Sequence, residues 1–337
     1  MTILIPAIVG AGVCLFLLNS SSFTFFYLVP LGFISCKFHY KTAWLACLFA
    51  SIGNMAIILA GSNGNYSAAM LNIIYFIAII FIFAWITAPP PFLNINVPEP
   101  ARLLIASSIA AIVFTLVLFK GMASSDFTDY VTYLLNSLIS MYNSSGSDVV
   151  QNARFEMLTA DKIMEAFRFF MLRGGSLISC VFLFFMSSQL GLVLFRLYSR
   201  IRGVKLSFTG ENSLSAFHVS PSMIWVLSIS LPLTVLTRIF KLEFPEIILW
   251  NILIICAILY FAQGFGILQF FTIRPSFPPH LRIVLSFLFI IVLFSPFLNA
   301  ILLLGLVFLG LAENWVPIRA SKQNGPPSTP EANDSEN

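Results

Sequence analysis

Crossing the hydrocarbon core of a bilayer takes about 20 apolar residues in a helix, with roughly 17 as the lower limit. This chain meets or approaches that requirement nine times: over residues 2–18, 23–36, 42–60, 68–87 and 102–119, within 167–198, 221–240 and 245–272, and over 281–311. So many uninterrupted apolar runs suit no soluble fold, because burying one against another would leave nothing to meet water. The last run is about 31 residues long and as one straight helix would reach about 46 Å, well beyond a core of about 30 Å. Ser295-Pro296 interrupts it, which leaves either one kinked helix or a hairpin of two short ones.

Charge enters the argument here. Only 9% of the 337 residues are charged, 58% are hydrophobic, and the mean hydropathy is +0.93, whereas ordinary globular proteins carry about 25% charged residues. The 18 basic and 14 acidic residues cannot cover a soluble body of this size. A soluble enzyme, a nucleic-acid-binding domain and a disulfide-stapled secreted module are all disfavoured on this ground. Cys14, Cys36, Cys47, Cys180 and Cys256 lie in or at the ends of apolar stretches, at spacings that fit neither a zinc site nor a disulfide framework. They read as small buried thiols. Met1-Thr2-Ile3-Leu4 lacks the basic leader of a cleavable signal peptide, so the first run is expected to stay as a span.

Loop charges orient the layout. Lys37 and Lys41 flank the second and third runs, Arg196, Arg200, Arg202 and Lys205 follow the sixth, and Arg274 and Arg282 separate the eighth and ninth. If the first of these loops is cytoplasmic, counting spans puts the other two on the same side, as the positive-inside rule asks. The opposite side receives residues 120–161, where acids and bases roughly balance, and the neutral Arg238, Lys241, Glu243, Glu246 turn. The reading is a multi-pass protein of a bacterial cytoplasmic membrane with its N-terminus in the cytoplasm. The tail falls outside with nine spans and inside with ten, and Arg319 and Lys322 favour inside.

The fold class expected is therefore all-α, a polytopic transmembrane bundle of nine or ten spans with an external amphipathic helix. Its parts are a five-span bundle over 1–119, an external loop over 120–162, a four- or five-span bundle over 163–311 and a disordered tail over 312–337. In the external loop Phe127, Val131, Leu134, Leu138 and Met141 recur at helical steps. Asp126 and Asp129 sit where the dipole of that helix favours negative charge. A second helix is expected from near Asp161, with Glu165 and Arg168 spaced to pair.

A search for catalytic chemistry is mostly negative. His39, His218 and His280 lie in loops out of helical reach of one another, and no HExxH, GxSxG, P-loop or GxGxxG pattern occurs. Gly264 and Gly266 lie in an apolar helix, where small residues serve close packing. Carboxylates are absent from the middle of every run, so a proton relay has no members. No enzymatic activity and no cofactor are expected.

What remains is a set of amides at membrane depth: Asn54, Asn72, Gln189, Asn251, Gln263 and Gln269. A solitary amide is costly to desolvate, so each must face a partner. Two readings stand: hydrogen bonds between helices, or a pocket for a small polar ligand. Arg173, beside Gly174-Gly175, either snorkels to the outer interface or anchors an anionic group. Arg196, Arg200, Arg202 and Lys205 read as a topogenic signal or, alternatively, as a surface for anionic lipid or a cytoplasmic protein.

Several short motifs of the second half carry a resemblance. They are Arg196-Leu197-Tyr198-Ser199-Arg200-Ile201-Arg202; Phe217-His218-Val219-Ser220-Pro221 followed by Trp225; Tyr260-Phe261-Ala262-Gln263-Gly264; and Leu304-Gly305 leading to Glu313-Asn314-Trp315-Val316-Pro317-Ile318-Arg319. In order and spacing, over roughly residues 165–320, this half resembles the YybS-like family of bacterial membrane proteins. Val29-Pro30-Leu31 before Lys41-Thr42-Ala43-Trp44-Leu45-Ala46 is similar to the opening of that family and also to the membrane-embedded substrate-binding components of vitamin transporters. The resemblance implies a polytopic membrane protein with no established activity, and the second likeness is a fold-level analogy to solute binding. Two functions follow as expectations: a non-enzymatic component that binds or helps translocate a small polar solute, or a cell-envelope scaffold that docks partners through its basic loop and external helix.

Overall fold

The computed structural model describes residues 3–20, 23–61, 66–91, 99–122, 160–203, 217–273 and 296–316, together with 129, 132, 133, 136, 137, 278, 280, 318 and 319. Among these residues all regular structure is helical. Helix α1 (Leu4–Leu18) is followed by a 3₁₀ turn (Thr24–Phe26), α2 (Val29–Lys37), α3 (Tyr40–Gly61), α4 (Tyr66–Thr87) and α5 (Glu99–Met122). Helix α6 (Ala160–Phe170) runs through a π-helical turn (Met171–Gly175) into α7 (Ser176–Arg202). Helices α8 (Ser222–Ile239), α9 (Glu243–Ile273) and α10 (Pro296–Ala312) complete the order. Among the described residues six stretches are long and apolar enough to cross a membrane: Tyr40–Gly61, Ala69–Thr87, Pro100–Gly121, Lys162–Arg202, Ser222–Ile239 and Glu243–Phe271. Leu4–Leu18, Thr24–Lys37 and Ala300–Ala312 are shorter apolar helices. Lys205, Arg274, Arg282, residues 283–295, the tail from 320 and most of the expected external helix lie outside the described residues.

Local chemistry explains where helices break. The second apolar run is not one helix: its first residues form the 3₁₀ turn, and α2 starts only at Val29, with Pro30 in its first turn. Proline suits that position because it has no amide hydrogen to satisfy there. Asn19 Nδ2 donates to Leu15 O at 2.9 Å, and Thr24 Oγ1 donates to Ser20 O at 2.7 Å, which ties the polar link back to the end of α1. Arg173 and Gly174 depart from helical geometry between α6 and α7, and Gly174 has φ +113°. A side chain there would be strained and would also meet Ile254.

By packing, the chain forms two units. One comprises Met1–Phe208 and Thr234–Ile254; the other comprises Thr209–Leu233 and Ile255–Asn337. In the first, α1, α3, α4 and α5 pack in succession, and α7 packs on α2 and α5. The seams are built from small residues, with Ala7, Ala11 and Cys14 of α1 and Ala43, Ala46, Cys47 and Ala50 of α3 all buried. Small side chains let membrane helices approach and gain van der Waals contact, since lipid offers no hydrophobic drive between them. The α2–α7 seam is closest at Gly32 and Gly191, where a Cβ on Gly191 would lie 2.7 Å from the Gly32 carbonyl carbon. Trp44 Nε1 donates to Ala88 O at 2.9 Å, and Thr115 Oγ1 to Ser176 Oγ at 3.1 Å. In the second unit α9 and α10 meet at Gly264 and Gly310, where a methyl on either would overlap a backbone carbonyl of the other helix.

Outward-facing Phe16, Ile52, Ile112, Phe182, Trp225 and Phe308 are exposed, as an acyl-chain solvent allows. Four cysteines are buried as expected, but Cys36 is exposed because it falls off the face of α2 that buries Val29, Leu31, Gly32 and Ile34. The expected helix near Asp161 is α6. Arg168 on it stands over the Phe119 ring, 5.3 Å from its centroid, and makes no ion pair with Glu165.

Candidate functional site

Four of the six intramembrane amides fall into three settings. The first is a cavity of about 410 Å³ in the first unit, lined by Leu18, Asn19, Thr24, Phe25, Tyr27, Asn54, Ile58, Asn72, Tyr75, Phe76 and Leu183. It lies where α1 and α3 end and α4 begins. Asn54 and Ile58 share a face of α3, and Asn72, Tyr75 and Phe76 share a face of α4, at the spacings that bring helical side chains together. Asn54 lies seven residues before the end of α3, so the cavity reaches about 10 Å below the helix ends. Asn54 is 4% exposed, while Asn72 is open at the rim. Among the described residues the side chains of Asn54, Asn72, Tyr27 and Tyr75 make no hydrogen bond with the protein. Four groups with donor and acceptor capacity therefore share one space with Asn19 and Thr24, whose side chains donate to backbone carbonyls, and the rest of the wall is apolar and aromatic. That is the composition of small-molecule sites, which occupy about 300–1,000 Å³.

The second setting is the π-helical turn. Arg173 Nε donates to Glu246 Oε1 at 3.2 Å, both side chains being largely buried, and its guanidinium also stacks 3.7 Å from the centroid of the Phe169 ring. Asn251 Nδ2 donates to Leu172 O at 2.9 Å and to Ile247 O at 2.8 Å. A π turn leaves backbone carbonyls without their helical partners, and Asn251 takes one of them. Arg173 is thus paired with a carboxylate from the first turn of α9.

The third setting is in the second unit. Gln263 Oε1 accepts the Val219 amide hydrogen at 2.8 Å, and its Nε2 donates to Glu313 Oε2 at 3.0 Å. Arg319 clamps the same carboxylate through Nε at 2.6 Å and through Nη2 at 2.5 Å, and Nη2 also donates to Phe217 O at 2.8 Å. His218 Nδ1 stands 3.7 Å from Glu313 Oε2. Burial opposes ionisation of Glu313, but the hydrogen bonds from Arg319 and Gln263 and the nearby positive charge outweigh it and hold the carboxyl below its ordinary value. The side chains of Gln263, Glu313 and Arg319 are all bonded to protein groups, which marks the cluster as a clasp between α9, the Phe217–Val219 segment and the end of α10.

Of the candidates, then, the structure brings Asn54 and Asn72 together, sets Arg173 beside Asn251, and places Gln263 in the clasp. Gln189 is half-buried on α7 and lines none of these places. Tyr27 and Tyr75 carried no signal of their own in the sequence, and Glu246 and Glu313 stood there only as a loop charge and as part of a motif. Tyr75 was findable, standing three residues from Asn72 on one helix face. Glu246, 73 residues from its partner, was not. Among the described residues no group of three or more His, Cys, Asp or Glu is arranged to hold a metal.

No curated protein and no solved structure matches the chain. The helical build and the six membrane-length apolar helices among the described residues agree with a family match over residues 21–307, and the chain belongs to the family described as Predicted membrane protein (DUF2232).

Proposed function

We propose that this protein is a non-enzymatic membrane component that binds, or helps translocate, a small polar solute in the Asn54–Asn72 cavity. The observation that supports the reading is the contrast in hydrogen bonding among the amides. Asn251 and Gln263 are engaged with protein groups, whereas Asn54 and Asn72 turn unengaged capacity into a shared space at membrane depth. Polar groups held inside a bilayer segment without a packing role are a functional signal, because their desolvation is otherwise uncompensated. Ligand-induced thermal stabilisation, or uptake into proteoliposomes, should be lost in Asn54→Leu and Asn72→Leu; unchanged values in both variants would refute the reading.

The topology proposed with it has ten crossings and both termini in the cytoplasm. The clasp sets the end of α10 beside Phe217 and Val219, in the segment that follows the basic Arg200 and Arg202. The positive-inside rule puts that segment in the cytoplasm, and an apolar helix ending there requires an even number of crossings. The cavity then opens to the outside. A reporter fused after Asn337 should read out as cytoplasmic.

A second reading rests on the opposite end of the first unit. Lys37 Nζ stands 3.8 Å from the centroid of the Tyr198 ring, and the Arg202 guanidinium 6.0 Å from it. With Arg196 and Arg200 on the same helix, these cations form a basic rim suited to anionic lipid or a docking protein. Charge reversal at Arg196, Arg200 and Arg202 separates the readings: a scaffold loses co-purifying partners, and a solute binder keeps its ligand.

A further inference from the structure

Which solute the cavity takes is written in what its wall lacks. Among the described residues, none that lines it is charged. The property extends beyond the wall, since the first 98 residues carry only two charged side chains, Lys37 and Lys41. Both lie at the α2–α3 connection, the opposite end of those helices from the cavity, and Lys37 is held over the Tyr198 ring. On the described wall a carboxylate or phosphate entering the cavity would meet no cation, and an ammonium ion no carboxylate. An ion that exchanges water for amides and phenols alone forfeits hydration with no opposite charge to replace it.

The groups present are suited to a neutral partner. Amides offer a donor and an acceptor side by side, and phenols offer one hydroxyl each. The rings of Phe25, Tyr27, Tyr75 and Phe76 supply flat walls, and Tyr27 is already stacked on Phe76 with centroids 5.7 Å apart. Flat faces of this kind hold a planar ring by offset or edge contact.

From these observations we infer that the cavity selects an uncharged, ring-bearing solute with an amide-like donor–acceptor pair, and discriminates against its anionic and cationic analogues. The inference rests on the solute-binding reading above and sharpens it to a ligand class.

The test uses the full chain in lipid nanodiscs and three probes that share one ring: benzamide, benzoate and benzylamine, followed by ligand-observed saturation-transfer NMR at neutral pH. Benzamide should bind, and benzoate and benzylamine should bind at least about tenfold more weakly. The Asn54→Leu/Asn72→Leu double variant should lose benzamide at least about tenfold, with Asn72→Leu at the rim as the fallback if the double variant fails to fold. Asn54→Asp should turn the order toward benzylamine. Benzoate or benzylamine binding as tightly as benzamide, displaceable by it and sensitive to Asn54→Leu, would overturn the selectivity while leaving solute binding in place. No signal from any of the three, or a benzamide signal equal in wild type and variant, would overturn both.

Discussion

The Asn54–Asn72 cavity and the Glu313 clasp use the same class of side chain to opposite ends. In the clasp Gln263 spends both ends of its amide, one on the Val219 amide and one on Glu313, and the carboxylate is fixed by Arg319. In the cavity two asparagines of equal polarity make no bond to the protein among the described residues, though one of them is nearly as buried. The difference teaches that an amide at membrane depth has no fixed meaning. Where a backbone or charged partner lies within reach it is a fastener; where two helices present amides across a space it keeps its bonding capacity, which the proposed solute would use.

That contrast predicts a graded set of responses. The largest should come from Arg319→Ala, which leaves a carboxylate only 1% exposed without its guanidinium. Stranding a buried charge typically costs about 3–5 kcal/mol, to be read from unfolding in mild detergent; a loss under about 1 kcal/mol would break the comparison. The same clasp has a pH signature. Because the folded Glu313 pKa lies below its ordinary value of 4.5, its contribution is complete above that pH and is lost as pH falls through the lower folded value. Glu313→Gln should abolish that acid-side step in an unfolding series.

Next is Gly310→Ala, whose added methyl would overlap the Tyr260 carbonyl across the α9–α10 seam, whereas one on Gly305 would meet nothing. Overpacking of this kind costs about 1–3 kcal/mol, and Gly305→Ala should stay within about 0.5 kcal/mol. Asn251→Leu removes two side-chain hydrogen bonds at the π turn and should cost about 1 kcal/mol, given an average near 0.6 for such contacts in one measured membrane protein. The smallest stability effect belongs to Asn54→Leu and Asn72→Leu, within about 0.5 kcal/mol, because removing an unengaged polar group forfeits no bond. A large loss there would make them fasteners too.

The apolar runs made most of the helices legible from sequence. Their ends followed residues such as Pro30 and Gly203, whose chemistry favours starts and stops. The π turn was less so: Gly174-Gly175 was visible, but an apolar run on both sides hid the change in hydrogen bonding. The cavity was hidden for a related reason. Helices α3 and α4 are apolar all round, so no periodicity says which face turns inward. The amides marked depth without direction, and only packing showed that Asn54 and Asn72 meet while Asn251 and Gln263 serve other seams. Long-range partners such as Arg173 and Glu246 leave no local trace at all.

An experimental density map at side-chain resolution, from protein purified out of its native membrane, tests the central claim most directly. The account predicts non-protein density bounded by Asn54, Asn72 and Tyr75, with Gln263 locked to Glu313 and Val219. A space closed by side chains, with Asn54 and Asn72 bonded to one another or turned toward the acyl chains, would contradict it.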